Sequence, residues 1–192
     1  MSAAGGPPTS WMDAHADGVQ WMCGEIGEVD RCGTSFLVVS VGSDPRVADV
    51  VGQWVRTAEA VAPVRLLVLD SLDSPGELAA FDAELGTSVV GVRIHIAGGQ
   101  ADVLAATAYA ARRGVLPAEM STFAVDSGDL RMYCAHCRQI FRVSARAGET
   151  TRCPGCARIL EIHRHSSRML GAFLASCVSV PRESVPAVSA EE

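Results

Sequence analysis

The sequence has no apolar run approaching the roughly twenty residues needed to cross a bilayer, which argues against a membrane-spanning helix. It also has no lysine. Its sixteen basic residues are arginines, scattered among twenty-two acidic ones for a formal net charge of −6. A nucleic-acid partner needs a clustered positive face to meet its phosphates, so this balance argues against one. Four motifs are missing as well. There is no Gly-x-Gly-x-x-Gly dinucleotide fingerprint, no Cys-x4-Cys-x2-Cys spacing for a plant-type [2Fe–2S] cluster, no Cys-x-x-Cys-His for haem attachment and no nucleophile or acid–base pair with a legible partner. A catalytic site is therefore not expected on this chain. The first ten residues carry neither a basic region nor an apolar core, so no secretory leader is expected and the chain reads as cytoplasmic, where disulfides are rare.

Against these absences stand two Cys-x-x-Cys pairs, Cys134-Ala-His-Cys137 and Cys153-Pro-Gly-Cys156, separated by fifteen residues. Two residues between cysteines make a tight turn that aims both sulfurs at one point, so each pair supplies half of a tetrahedral thiolate cage. Four thiolates close the shell, which is characteristic of structural Zn²⁺; a catalytic zinc keeps one position free. Iron is the rival, because Cys-Pro-x-Cys also occurs in rubredoxin-type electron carriers. Such knuckles usually have glycine after the second cysteine, whereas Arg138 and Ala157 stand there, and zinc is preferred on that ground. His136 lies inside a shell that is already complete and reads as a surface knuckle residue. Cys23 and Cys32 lack ligand spacing and read as ordinary thiols.

The chain of 192 residues, 48% of them hydrophobic, is long enough for one ordinary domain plus a small appendage. Residues 1–34 read as an N-terminal arm, disordered over the Ala/Gly/Pro-rich first ten, with Trp11 and Trp21 packing on their own domain. From 35 to 129, apolar runs alternate with helical patterns. Phe36-Leu-Val-Val-Ser-Val41 and Val64-Arg-Leu-Leu-Val-Leu69 read as strands buried on both faces, and residues 89–97 as a third. Helices are expected from Pro45, from residues 74–77 to about Leu85, and from the Gly98-Gly turn through Arg113. Three alternations predict an α/β fold, a small Rossmann-like parallel sheet with helices. Gly98 and Gly99, between a strand and a helix, are the candidate anion or nucleotide site. Asp44 and Asp70 end strands at the rim where open sheets bind ligands, although aspartate there commonly caps a helix. Residues 130–180 form the zinc ribbon with a docking tail, and 181–192 a disordered end. In Arg158-Ile-Leu-Glu-Ile-His-Arg-His165, alternation puts Glu161, His163 and His165 on one polar face.

Tyr133-Cys-Ala-His-Cys137, Cys153-Pro-Gly-Cys156 and His165-Ser-Ser-Arg-Met-Leu-Gly-Ala-Phe-Leu174 together resemble the small-subunit family of dimethylamine monooxygenase. In that family the ribbon is followed by a His-x-Ser-Arg motif and a Gly-Ala-aromatic-Leu segment, matched here by His165, Ser167, Arg168, Gly171, Ala172 and Phe173. The α/β part is similar in outline to that family's N-terminal domain and to the last βα unit of ferredoxin-reductase-type nucleotide domains. The resemblance implies a multicomponent oxidative N-demethylase. In such a system a haem subunit activates O₂, and NADPH electrons arrive through flavin and [2Fe–2S] groups on a reductase subunit. This chain is then expected to be a non-haem accessory subunit, with His163, His165, Ser167, Arg168, Gly171 and Phe173 docking on a partner. The alternatives are a rubredoxin-like iron carrier in the same system and a free-standing zinc-ribbon regulator binding nucleic acid.

Overall fold

The computed structural model describes residue 26 and residues 28–178. The expectations for residues 1–25, including Trp11, Trp21 and Cys23, and for the end at 181–192 lie outside the described residues.

Two sheets share the chain. The first contains β1 (Ser35–Val41), β2 (Val64–Leu69), β3 (Val92–Gly99) and β4 (Met120–Val125), all parallel in the order β2-β1-β3-β4. Parallel neighbours need crossovers, and three helices supply them: α1 (Pro45–Glu59), α2 (Pro75–Gly86) and α3 (Gln100–Arg112). The expected α/β class and parallel sheet are therefore present. Asp44 caps α1 by accepting the Arg46 amide at 2.8 Å, and Pro45 enters the first turn, where its missing N–H costs nothing. Alternation along β1 divides the core: Val38 meets Val47, Val50, Val51 and Trp54 of α1 on one face, while Leu37, Val39 and Val41 meet Phe81, Leu85, Val103 and Leu104 of α2 and α3 on the other.

Two strands depart from expectation. β2 is an edge strand with one face largely open, Leu66 and Val68 being 52% and 65% exposed, because α1 lies chiefly over β1 and reaches β2 mainly at Val64. β3 begins at Val92 rather than residue 89. Val89 and Val90 are exposed in a turn that Gly91 closes with φ +89°, a backbone that only glycine adopts without strain.

The second sheet contains β5 (Leu130–Cys134), β6 (Gln139–Val143), β7 (Thr150–Arg152), β8 (Ile159–Ser167) and β9 (Ala172–Cys177) in the order β6-β5-β9-β8-β7. Its apolar face, formed by Leu130, Met132, Leu160, Ile162, Phe173 and Ala175, belongs to the same core as Leu104, Ala106 and Ala110 of α3. The ribbon is thus roofed by a helix of the α/β part. The segment expected to dock on a partner runs from the end of β8 through its turn into the central strand β9, which is parallel to β5 and antiparallel to β8. Gly171, at φ +60°, enters it so close to α3 that a Cβ would collide with the Leu104 carbonyl and Ala108.

A polar clamp crosses the same seam. Arg142 of β6 pairs with Asp102 of α3 at 2.6 Å, with Asp73 at 2.7 Å and with Asp129 at 2.8 Å. Asp102 is buried and also accepts the Leu72 amide at 3.1 Å. Hydrogen bonds to Asp102 and Asp129 outweigh the desolvation of the guanidinium and hold it charged more firmly than usual. Removing it strands a buried carboxylate. Arg142→Met is expected to cost about 2–3 kcal/mol in urea unfolding, the low end for a partly exposed pair, with Arg142→Lys recovering only part. An unchanged midpoint contradicts the clamp.

His95 of β3 is 1% exposed and packs at a tilt against the rings of Trp54 (centroids 5.0 Å apart) and Phe36 (6.0 Å). Neither ring nitrogen has a hydrogen-bond partner among the described residues. Burial therefore pulls its pKa down from 6.5 to about 4. Between those values the unfolded chain binds the proton and the folded chain does not, so stability is complete above pH 6.5 and falls as the solution is acidified. The loss attributable to His95 is about 2 kcal/mol at pH 5. His95→Met is expected to flatten that part of the stability–pH curve; a curve parallel to the wild type contradicts the assignment.

Candidate metal centre

Four cysteines from two knuckles converge beneath β5 and β8. Cys134 ends β5 and Cys137 follows in the turn to β6; Cys153 follows β7 and Cys156 precedes β8. In each knuckle the residue after the second cysteine donates its amide to the carbonyl of the first: Arg138 to Cys134 at 2.8 Å and Ala157 to Cys153 at 2.9 Å. Arg138 and Ala157 both sit at φ 59°. A side chain in that left-handed region costs of order 1 kcal/mol, and the two knuckles bear it at equivalent positions. The lack of glycine at these positions therefore leaves the knuckle backbone unaltered. That backbone does not by itself discriminate zinc from iron.

The sulfur geometry fits a single ion. Cys134 and Cys156 Sγ are 3.8 Å apart, Cys137 and Cys153 Sγ are 3.7 Å apart, and all four lie within 4.8 Å of one another. Four sulfurs about 2.3 Å from a central ion form a tetrahedron with edges of about 3.8 Å. A disulfide needs about 2.05 Å, so these are not bridges. Among the described residues this is the one group of three or more potential ligands close enough to share a metal.

The four sulfurs sit in a largely dry shell whose surroundings pull individual thiols in opposite directions. Cys134 and Cys153 are buried, and Cys137 and Cys156 are half-buried. Burial pushes the Cys137 thiol up to about 12, reinforced by contacts with Cys134 and Cys153. Cys153, although burial opposes its ionisation, is drawn down to about 7 by the amides of Cys156 and Gly155. Amides of Gln139 and Arg158 likewise face Cys137 and Cys156. Phe141 covers the site so closely that a Cβ at Gly155 would strike its ring. His136 is exposed on the knuckle's outer side and outside the sulfur group. A full set of four sulfurs with no open position suits a structural ion.

The other residues singled out from the sequence scatter. His163 is half-buried and shares a 2.9 Å hydrogen bond with Ser176, and His165 stacks on it, centroids 5.6 Å apart. Ser167 accepts the Leu170 amide at 3.3 Å, and Arg168 is exposed at the β8–β9 turn. Phe173 is 1% exposed and Gly171 is pressed on α3, so both face inward and offer a partner nothing in this fold. Gly98 and Gly99 stand at the β1/β3 switch point, where open sheets bind ligands. A Cβ at Gly98 would come 2.9 Å from the Val41 carbonyl, so close strand packing already requires that glycine. The adjoining crevice of about 230 Å³ presents Asp44, Asp102 and Asp129 with Arg142 held among them. A phosphate approaching Gly99 would therefore meet carboxylates. Asp70 is exposed, while Ser74 occupies the cap position of α2.

Sequence reading missed Arg142 and its three aspartates. The available signals were one arginine inside the apolar Ile140-Phe-Arg-Val143 strand and one aspartate in the first turn of an alanine-rich helix.

Comparison with known proteins points the same way as the motif. Residues 131–176 match the family model described as dimethylamine monooxygenase subunit DmmA-like, C-terminal domain. The chain is also 28% identical, over 155 residues that make up 79% of it and 83% of the relative, to the haem-dependent oxidative N-demethylase delta subunit of Ectopseudomonas mendocina (strain ymp). No solved structure matches.

Native mass spectrometry of the full chain is expected to show one bound ion, and Cys137→Ser to lose it. Because metal binding displaces thiol protons, the ion should be released as pH falls. A wild-type chain that keeps its fold with no ion bound would contradict the site.

Proposed function

Because the chain carries a C-terminal domain of the DmmA-like family, we propose that it is an accessory subunit of a haem-dependent amine monooxygenase that carries out oxidative N-demethylation. The observation that supports this reading most strongly is the similarity that extends beyond the ribbon to cover most of an N-demethylase delta subunit. Haem, flavin and [2Fe–2S] groups belong, on this reading, to a haem-containing monooxygenase subunit and a flavin/iron–sulfur reductase subunit. The chain itself contributes a shaped surface. Zinc held by Cys134, Cys137, Cys153 and Cys156 orders the ribbon, and the exposed part of the β8–β9 turn, His165 and Arg168, meets a partner.

A second reading has one observation in its favour. Arg138 and Ala157 adopt the left-handed backbone that glycine supplies in rubredoxin-type knuckles, so iron would be held as readily as zinc. The chain would then pass single electrons to the haem subunit. Colour separates the two, since a ferric four-thiolate site is red and a zinc site colourless.

Co-expression with the haem and reductase subunits of such a system is expected to yield a complex containing this chain in fixed stoichiometry. Omitting the chain should cut amine-dependent formaldehyde release at least tenfold. Undiminished turnover without the chain, or failure to co-purify, contradicts the reading.

A further inference from the structure

The charge of this chain is unevenly divided. Residues 131–178 hold eight arginines and two glutamates, whereas residues 1–130 hold seven arginines against seventeen carboxylates. The ribbon therefore carries a surplus of six positive charges on a protein whose formal net charge is −6. Four thiolates around a divalent ion would cancel about two of these and leave the ribbon basic. Arg131 and Arg142 are engaged at the seam, where both reach Asp73. Arg138, Arg146, Arg152, Arg158 and Arg164 are exposed, and none of them forms an ion pair among the described residues.

Three of these five gather at the metal end of the ribbon. Arg138 follows Cys137, Arg152 precedes Cys153, and Arg158 stands two residues after Cys156, so each is tied in sequence to one of the four converging sulfurs. Their contacts are with uncharged acceptors. Arg152 donates to the Ala157 carbonyl at 2.8 Å, and Arg158 approaches Cys177 Sγ at 3.9 Å. No carboxylate occurs in residues 131–148 or 150–160. Glu161 is two residues further along β8 than Ile159, the residue that faces Arg152 across the β7–β8 ladder. Ile159 is 46% exposed and places an apolar side chain beside the arginines. Like charges held together without an internal counter-ion create a local positive field, and an anionic group from outside the chain relieves it.

We propose that the metal end of the ribbon docks against an acidic surface patch of a partner subunit, with Arg138, Arg152 and Arg158 meeting its carboxylates around Ile159. The proposal rests on the accessory-subunit reading. A guanidinium fork matches a carboxylate in two parallel hydrogen bonds, which sets orientation as well as attraction. Two other occupants fit less well. A nucleic-acid strand long enough to follow the ribbon would run on toward an α/β part with ten more carboxylates than arginines. A second copy presenting that acidic part would leave its own ribbon open, and such head-to-tail contacts propagate into filaments unless a ring closes. The docking face lies at the start of β8 (Ile159–Ser167, 9 residues), about 25 Å from the β8–β9 turn at about 3.3 Å per residue, so the two contacts are separable by mutation.

The test measures association of the metal-loaded full-length chain with the remaining subunits of such a system at two salt concentrations. Wild-type affinity should fall about tenfold as salt rises from about 50 to about 500 mM. Arg138→Glu combined with Arg158→Glu should weaken association about tenfold or more at low salt, with bound metal and melting temperature unchanged. Arg56→Glu, the same charge change on α1, should leave affinity within about twofold. Should the double reversal disturb the metal, Arg138→Gln with Arg158→Gln, which brings no carboxylate beside the sulfurs, is expected to weaken association about threefold or more. Variants that bind like the wild type at both salt concentrations overturn the docking face and leave the accessory-subunit reading standing. Failure of the wild type to form any complex overturns that reading and this one with it. A single-stranded oligonucleotide bound by the wild type and not by the variants, with complex formation the same for both, overturns the occupant in favour of nucleic acid. Concentration-dependent self-association that the variants lose overturns it in favour of a second copy.

Discussion

Four sulfur atoms held at contact distance set the shape of the C-terminal third of this protein. Each knuckle spends a left-handed residue to turn two sulfurs inward, and thiols crowded at 3.7–3.8 Å gain little from one another without a cation among them. An ion bound among them would join the ends of β5 and β7 to the starts of β6 and β8. β5, β8 and β9, with Val143 of β6, present one apolar face, and that face is too small to be buried on itself.

The rest of the fold follows from where that face goes. It closes onto α3, so the ribbon's core and the α/β core are continuous through Leu104, Ala106, Met132 and Phe173. Arg142 and its three aspartates guard the edge of the seam with directional contacts that apolar packing lacks. Together they fix how the ribbon sits, and they bring the β8–β9 turn alongside β4. The switch-point crevice of the parallel sheet is lined with carboxylates and crossed by the ribbon's arginine.

Much of this was legible in the chain. Continuous apolar runs and Pro45 marked the parallel strands and first helix, and the two Cys-x-x-Cys pairs named the ligands, because a spacing rule reflects local turn geometry that needs no tertiary information. The family resemblance was likewise carried by short contiguous motifs. What was not legible depends on neighbours distant in sequence. The open face of Leu66 and Val68 follows from which strand ends at the sheet edge. Phe173 was named for docking by the family motif alone, and its burial in the strand between β5 and β8 depends on pairing that a local motif does not reveal. Arg142 gave no sign that its partners lie forty and sixty-nine residues away.

If the ribbon is ordered by one ion and the turn it carries faces a partner, then the proposed accessory chain bears on turnover through assembly. X-ray absorption at the metal edge of the purified full-length chain tests the root of this account most directly. Four sulfur neighbours at about 2.3 Å, with no light-atom shell, is the predicted spectrum; nitrogen or oxygen ligands, or fewer than four sulfurs, would contradict it.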